Sequence, residues 1–434
     1  MAFQQGLSGL NSSSKALDVV GNNIANAGTI GFKSSAAHFG DVYANSLAGS
    51  GAGQVGIGVN MSAILQQFTQ GNTTTTNNPL DISINGNGFF RMDNHGSVSY
   101  TRNGQFHLDK DGYIINDQSL KLTGYAADAT GLIIQSNPSP IQVSAADLAP
   151  VATGASVGGS FQGVLANVNL DSRQATPAVA WANGPAAGQW SPSPTTYNYS
   201  TALSVYDTLG NAHTLTMYFR KAAGTGDWNV YANVDGTTNA RVTLTPSGGG
   251  PLHFDTNGQL NSGNPIAVSI DLNGVMTDLG KPNNAASPLA FNLNFTGSTQ
   301  YGASFGTNSL NQDGYTSGRL TGLSVGADGT IQGRYSNGQS RNQGQVVLTN
   351  FTDPNGLSAQ GNNQWIETAV SGPPLVGAPN SSSLGVLTSA SVEESNVDLT
   401  AELVNMITQQ RNYQANAQTI KTQDQILQTL VNLR

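Results

Sequence analysis

The two ends of this chain repeat apolar residues at the helical period, while almost everything between them reads as strand and turn. From the start, Phe3, Leu7, Leu10, Leu17 and Ile24 are spaced by alternating fours and threes, with Ser14 and Gly21 on the missing beats. That spacing returns to one side of an α-helix, so these residues form a single seam. The seam is expected to stop at Asn26-Ala27-Gly28, with Gly28 as a left-handed cap and Gly31 reinforcing the break. At the other end Leu399, Leu403, Met406, Tyr413, Ala417, Ile420, Leu427 and Val431 keep the same alternation, interrupted by Gln410 and Asp424. This is coiled-coil spacing. Ser391 with Glu394 and Ser395 with Asp398 both fit the Ser-x-x-acid capping pattern, so a helix over about 397–432 has two candidate starts.

Between the seams, the runs NNPLDISINGNGFFRMD, SVSYTRNGQFHLDKDGYIIN, ALSVYDTLGNAHTLTMYFRK and GQVVLTNF are rich in β-branched and aromatic residues. Asn103-Gly104, Asp111-Gly112, Asp328-Gly329 and Asn337-Gly338 are dipeptides favoured in type I′ hairpins, so the middle is expected to be antiparallel β. Residues 44–58, 177–194 and 371–385 have linker composition. The first and last of these lie just inside the helical ends, so the chain is expected to go out and return, building each domain from an early and a late segment. The expected fold is α+β and multidomain: coiled-coil-like terminal helices plus nested, mainly antiparallel β domains. The expected parts are a helical domain of residues 1–32 and 397–434, connecting segments 33–72 and 366–396, an inner β domain of 73–143 and 295–365, and an outer β domain of 144–294. A seam buries nothing alone. Either the two seams pair within the chain, or they meet neighbouring subunits and order only on assembly.

Composition removes whole classes of function. The 434 residues carry 17 Lys and Arg against 25 Asp and Glu, a net charge of −8, so no basic stripe can neutralise a run of phosphates and neither nucleic acid nor an anionic membrane is an expected partner. Cysteine is absent, which excludes disulfides, thiolate nucleophiles and cysteine-type metal sites. No stretch approaches the ~18 apolar residues of a membrane span. MAFQQGLSGLNSSSK lacks the basic and apolar regions of a secretory signal, so any export is expected to proceed without a cleaved one.

Candidate chemistry is sparse. Gly51-Ala52-Gly53-Gln54-Val55-Gly56 matches the dinucleotide fingerprint, but no strand pattern precedes it and no helical run follows, so it reads as linker. Asp109-Lys110-Asp111-Gly112 resembles the opening of a calcium loop, yet Leu120 stands where a bidentate Glu is needed and the Gly falls too early; a hairpin turn is the better reading. His38, His95, His107, His213 and His253 are scattered without ligand spacing. Asp81, Asp93, Asp207 and Asp255 sit among turn residues, which favours scaffolding over a paired-carboxylate site. No catalytic residue, cofactor or metal site is expected.

The end motifs carry a resemblance. Leu17 to Lys33, LDVVGNNIANAGTIGFK, resembles the N-terminal signature of the bacterial flagellar rod and hook family, and SNVDLTAELVNMITQQRNYQANAQTIKTQDQILQTLVNLR is similar to its C-terminal one. Ala27-Gly28 departs from the Asn-Thr-like pair of that signature. The blocks DISINGNGFFRM, YTRNGQFHLDKDGYIIN and LTGYAAD resemble the family's inner β domain. ALSVYDTLGNAHTLTMYFRK, DGYTSGRLTGLSVGADGTI and the length favour its hook branch over the distal rod; residues 144–294 match loosely.

The resemblance implies a non-enzymatic subunit of an extracellular, flexible, hollow helical tube that transmits torque from motor to filament. Its partners would be copies of itself, rod proteins at the proximal end, hook-filament junction proteins at the distal end, and the hook cap and flagellar export apparatus during assembly. Phe3, Leu7, Leu10, Leu17, Asn22, Asn23, Ile24, Asn26, Gly31, Phe32, Leu399, Leu403, Met406, Tyr413, Ile420, Leu427 and Val431 would be its assembly residues. A distal rod subunit is the near alternative, and a secreted β-rich adhesin or glycan-active protein the remote one.

Overall fold

A computed structural model of the chain describes residues 2–42, 56–128, 130–144, 146–155, 161–282, 284–381 and 383–432, the side chains of 2 and 430–432 excepted. The linker reading for 44–58 and the glycine-rich match at 51–56 therefore fall largely outside the described residues. Two compact units form, one from residues 1–145, 322–334 and 340–434, the other from 146–321 and 335–339. Among the described residues the α-helices are α1 (Ala2–Ala25), a short α2 (Leu272–Asp278) and α3 (Leu399–Asn432).

In the first unit, α3 has 34 residues, about 51 Å at 1.5 Å per residue. Neither serine caps it. Asp398 Oδ1 accepts the backbone N–H groups of Thr400 at 2.9 Å and Ala401 at 3.1 Å, and Ser395 Oγ accepts that of Val397. An ionised carboxylate at this end also meets the positive pole of the helix. Thr408, Thr419, Thr422 and Thr429 donate their hydroxyls to carbonyls four residues back, so these β-branched polar residues are satisfied within α3.

α1 ends one residue before the expected stop but not by the expected cap. Gly28 is not left-handed; the Asn26 N–H and Nδ2 both donate to the Asn22 carbonyl, at 3.1 and 2.9 Å, and finish the last turn. The left-handed glycine is Gly31, with φ 71°, where a Cβ would lie 2.6 Å from the Asn103 nitrogen. In the single chain the two ends find each other. A Cβ on Gly6 would be 3.1 Å from Ile420 Cγ1 and one on Gly9 2.8 Å from Asn416 Oδ1, while Asn23 Nδ2 donates to Glu402 Oε1 at 3.2 Å. The α1 number rises as the α3 number falls, so the helices are antiparallel. Beside them, β1 (Ser35–Val42) and β2 (Gly58–Gln66) form a hairpin with a bulge at His38/Phe39. The Val59 N–H donates to Ser8 Oγ at 3.3 Å, seating the hairpin on α1.

Early and late segments interleave in the unit's sheets, as nested domains require. β3 (Thr73–Thr75) pairs with Ser391–Glu393, and β4 (Ile82–Asn85) with Val386–Ser389, both antiparallel. β5 (Phe89–Asn94) takes β6 (Ser97–Thr101), Lys121–Ala126 and Leu348–Asn350 as neighbours. Ile82, Ile84, Phe90, Met92, Phe106, Ile114 and Leu122 fill the core, with the Phe90 and Phe106 rings edge to face at 5.2 Å.

The expected type I′ turns are placed elsewhere. A type I′ turn needs two left-handed residues, and such pairs occur at His95-Gly96, φ 51° and 94°, at Asp235-Gly236, φ 51° and 69°, at Gly248-Gly249, φ 78° and 70°, and at Asn362-Asn363, φ 51° and 55°. At Asp111-Gly112, Asp328-Gly329 and Asn337-Gly338 only the glycine is left-handed. Each follows a tight turn closed from the glycine N–H to the residue three back, the combination that makes a bulged hairpin. Asn103-Gly104 makes no hairpin: the Ile82 N–H donates to the Gly104 carbonyl at 2.8 Å, and a Cβ there would lie 1.7 Å from the Ile82 oxygen.

The second unit contains two five-stranded sheets. One orders Val242–Pro246, Ile266–Ile270, Leu289–Asn294, Val164–Asn169 and Gly306–Gln312, with the Val164–Asn169 and Leu289–Asn294 pair parallel. The other orders Tyr199–Tyr206, Ala212–Lys221, Asp227–Val234, Leu252–Phe254 and Leu260–Ser262. Val164, Ala166 and Val168 point inward with Phe219, Trp228 and Phe295 in a common core. Residues 295–321, expected in the inner β domain, belong here because Gly306–Gln312 pairs along Val164–Asn169. The 177–194 stretch is an ordered strap rather than a spacer. Trp181 stacks on Tyr231 at 4.1 Å, and the Trp190 N–H donates to the Gly236 carbonyl at 2.8 Å.

Candidate assembly interface

α1 carries two stripes. Gly6, Ser13, Ala16, Val19, Val20 and Asn23 are buried within the unit. The large apolar seam is the other stripe: Phe3 and Leu7 are 47% and 44% exposed, and Leu10, Leu17 and Ile24 are half-buried. The helix pair closes through small residues, because glycine lets α3 approach more closely than a leucine seam permits. Gly6, Gly9, Ser13 and Ala16 recur at threes and fours. They were the available signal, hidden by reading only large side chains.

α3 shows the same rotation. Its half-buried face is Glu402, Met406, Gln409, Asn416, Ile420 and Gln423. Leu399, Leu403, Tyr413 and Leu427 are exposed, as are Val404, Ile407 and Ile426, which the seam reading had omitted. Leu403 at 44% and Ile407 at 52% are neighbours one turn apart. Thus Met406 and Ile420 lie on the half-buried face, and the side chain of Val431 is outside the described residues.

The asparagines near the end of α1 are differently employed. Asn22 is exposed and Asn26 bonds back to it. Asn23 is 1% exposed; its Nδ2 donates to the Ser35 carbonyl at 2.8 Å and its Oδ1 accepts the Ser35 N–H at 2.9 Å, as a neighbouring strand would. Asn396 instead bridges two segments, accepting the Ser34 N–H at 2.8 Å and donating to the Gln67 carbonyl at 2.7 Å. Gly31 and Phe32 are buried, and the Gly31 N–H donates to the Glu393 carbonyl at 2.8 Å.

Below them lies a feature that sequence reading missed: Lys33, Glu393 and Arg102 form a buried ionic triad. Burial pushes the Lys33 ammonium and the Arg102 guanidinium below their usual pKa values, against the pull of Glu393. The Arg102 guanidinium also lies 5.5 Å from the centroid of the Phe89 ring, inside an aromatic cluster of Phe68, Phe89, Tyr100, Phe351 and Trp365.

The polar candidates for chemistry are spent on structure. The carboxylates of Asp109, Asp207 and Asp255 accept backbone N–H groups of their own turns, and that of Asp93 accepts the Gly96 N–H. Asp81 accepts from Asn78 Nδ2 at 2.9 Å. Among the described residues no three His, Asp or Glu side chains are grouped to hold a metal, and no helix is long and apolar enough to cross a membrane.

Four family models match along the chain. Residues 3–33 match the flagella basal body rod protein, 83–156 the flagellar hook protein FlgE/F/G D1 domain, 169–315 the flagellar basal body protein FlaE D2 domain, and 388–433 the flagellar basal body rod FlgEFG protein C-terminal region. The flagellar hook protein FlgE of Salmonella typhimurium is 42% identical over 440 residues, covering 100% of both chains. That of Escherichia coli K12 is 42% identical over 438 residues with the same coverage, and that of Borreliella burgdorferi 33% over 456 residues, covering 100% of this chain and 99% of the other. The crystal structure of Helicobacter pylori flagellar hook protein FlgE2 covers 72% of this chain and 98% of its own at 15% identity, with a TM-score of 0.47. The 33–42% identity to the Salmonella, Escherichia and Borreliella proteins across the whole length, with matched regions at both ends and in both units, shows that the chain belongs to the flagellar hook protein FlgE family.

Proposed function

We propose that this hook-family subunit polymerises through the apolar stripes that its own helix pair leaves uncovered. The single observation that carries the reading is that Phe3, Leu7, Leu399, Leu403, Val404, Ile407 and Leu427 remain exposed after α1 and α3 have closed on each other. Fully burying a Leu, Ile or Phe is worth about 1.5–3 kcal/mol, so completing the burial of a half-exposed one contributes roughly 1 kcal/mol. Repeated over every subunit of a helical lattice, that sum holds a tube together. Leu10, Leu17, Ile24, Met406, Tyr413 and Ile420 flank these positions, with Asn22 and Asn26 at the end of α1; Asn23, Gly31 and Phe32 shape the interface from behind. The subunit is structural rather than enzymatic and resides in the hook, outside the cell. It joins copies of itself, rod proteins proximally and junction proteins distally, and is handled during assembly by the hook cap and the flagellar export apparatus.

Bending requires contacts between subunits to exchange on each revolution. Exchanging a neutral hydrogen bond with water changes net energy by about 0.5–1.5 kcal/mol, whereas stranding one member of a buried ion pair costs about 3–5 kcal/mol. In the second unit Arg173 pairs with Asp171, Arg241 with Asp271 and Asp278, and Arg319 with Asp147, while Arg220 and Lys221 donate to the Pro177 and Ser172 carbonyls. Its remaining surface is mostly hydroxyl, amide and glycine, which supports contacts that exchange cheaply. The test is polymerisation of Leu403→Ser/Ile407→Ser beside the unaltered chain. The doubly substituted chain should stay folded by circular dichroism and fail to form tubes in sedimentation; tubes formed at the unaltered concentration dependence would refute the interface.

A further inference from the structure

Lys33, Arg102 and Glu393 come from three distant stretches of the first unit and are 1%, 3% and 1% exposed. Glu393 Oε1 accepts Lys33 Nζ at 2.6 Å and the Gly71 N–H at 3.0 Å, and Oε2 accepts Arg102 Nη1 at 3.1 Å. Lys33 Nζ also donates to the Thr69 carbonyl at 2.7 Å, and Arg102 Nη2 to the Gly86 carbonyl at 2.8 Å. One carboxylate thus serves two buried cations, and the cations in turn grip two loops of the β framework.

The location is as informative as the chemistry. Lys33 lies on the segment that leaves α1 at Ala25, Glu393 on the strand that precedes the start of α3 at Leu399, and Arg102 follows directly on β6. The main chain is tied at the same point, since the Glu393 carbonyl accepts the Gly31 N–H at 2.8 Å. Asn23 and Asn396 hold residues 35 and 34 on either side. Apolar packing alone tolerates small rotations, because dispersion contacts have little directional preference. Charged hydrogen bonds from a planar guanidinium and an ammonium to one carboxylate do not.

We propose that Lys33, Arg102 and Glu393 are positioning residues of assembly: they fix the directions in which α1 and α3 leave the β framework, and so where the apolar stripes are presented. Losing Glu393 strands two cations in the interior, and the route of relief is for the junction to open and admit water. The inference builds on the stripes as the subunit interface. Its test is made on the soluble full-length chain, so it stands or falls apart from the polymerisation experiment.

The test is amide hydrogen exchange of Glu393→Gln and of the triple variant Lys33→Met/Arg102→Met/Glu393→Met, beside the unaltered chain. In Glu393→Gln, amides of residues 31–35, 69–71 and 391–397 should exchange faster by on the order of a hundredfold, while those of β5 and Lys121–Ala126 keep their rates. The triple variant buries no charge and should regain most of the stability against denaturant, yet keep fast exchange at the same junction. Uniform acceleration through the whole unit in Glu393→Gln would reduce the triad to a general core stabiliser. Junction protection equal to the unaltered chain in the triple variant would show that packing alone sets the helix directions. Either result overturns the proposal.

Discussion

Ser119 sits where this chain elsewhere uses glycine. In Asp109–Tyr113, Asp128–Leu132, Asp207–Asn211 and Asp255–Gln259 the fourth residue is a glycine with positive φ, and the first carboxylate accepts the N–H of the fifth. Asn116–Leu120 repeats the arrangement with Ser119 at φ 62°. A left-handed non-glycine residue costs roughly 1 kcal/mol, so Ser119→Gly should raise the denaturation free energy by about 0.5–1 kcal/mol, and no gain would show the strain is absent. His213 gives a second test. Its Nδ1 lies 2.7 Å from Asp235 Oδ2 and its Nε2 3.4 Å from Asp207 Oδ2, so carboxylates face both nitrogens. The bond to Asp235 raises its pKa, against burial, with Asp207 adding to the rise. A raised folded pKa means that this contribution is fully present below the ordinary value of ~6.5 and lost as pH rises through the folded value. Thermal unfolding followed from pH 6 upward should show the second unit weakening, and His213→Gln should flatten that slope; an unchanged slope would exclude the imidazolium as its source. The turn chemistry was half legible in sequence: Asp-x-x-Gly recurs openly, but an Asn-Gly or Asp-Gly pair does not by itself give the turn type, because the deciding feature is whether the residue before the glycine is also left-handed, as it is at Asp235-Gly236 and is not at Asp111-Gly112, Asp328-Gly329 or Asn337-Gly338.

At the scale of elements, both terminal helices and the nested return of the chain could be read from periodicity, and the faces of the helices could not. A seam of large apolar residues signals that burial is needed somewhere, not by whom. Here the intramolecular partner is chosen by Gly6 and Gly9, whose missing side chains let Ile420 and Asn416 approach, and the leucines are left for another surface. The absence of cysteine makes the pairing simple to check. A Cβ at position 9 lies 2.9 Å from Asn416 Cγ, which places the two Cβ atoms within reach of a disulfide. Gly9→Cys/Asn416→Cys should therefore cross-link within one chain on mild oxidation, seen as a faster band in non-reducing electrophoresis at a concentration too low for polymer. Cross-links only between chains would mean that α1 and α3 pair across subunits instead. The ionic triad was illegible for a related reason: three charges spread from residue 33 to 393 acquire a common meaning only when the strands 73–75 and 391–393 pair.

For the whole molecule, the two units differ in how much chain each needs. The second is nearly continuous, 146–321 with a short return at 335–339, whereas the first requires 386–393 to supply partners for β3 and β4. A fragment of residues 146–321 should fold cooperatively with a β-type spectrum, while a chain ending at residue 385 should lose the cooperative unfolding of the first unit and retain that of the second; loss of both would contradict this division. The outer boundary was misplaced in the sequence because Gly306–Gln312 looks like any other strand until its register along Val164–Asn169 is known. The central claim is that the stripes on α1 and α3 build a hook-type tube, and electron microscopy of the full chain driven to polymerise, beside one lacking residues 1–32 and 397–434, tests it most directly. Curved hollow tubes from the full chain and only monomers from the truncated one are the predicted result. Regular tubes from the truncated chain, or a full chain that stays monomeric, would contradict the account.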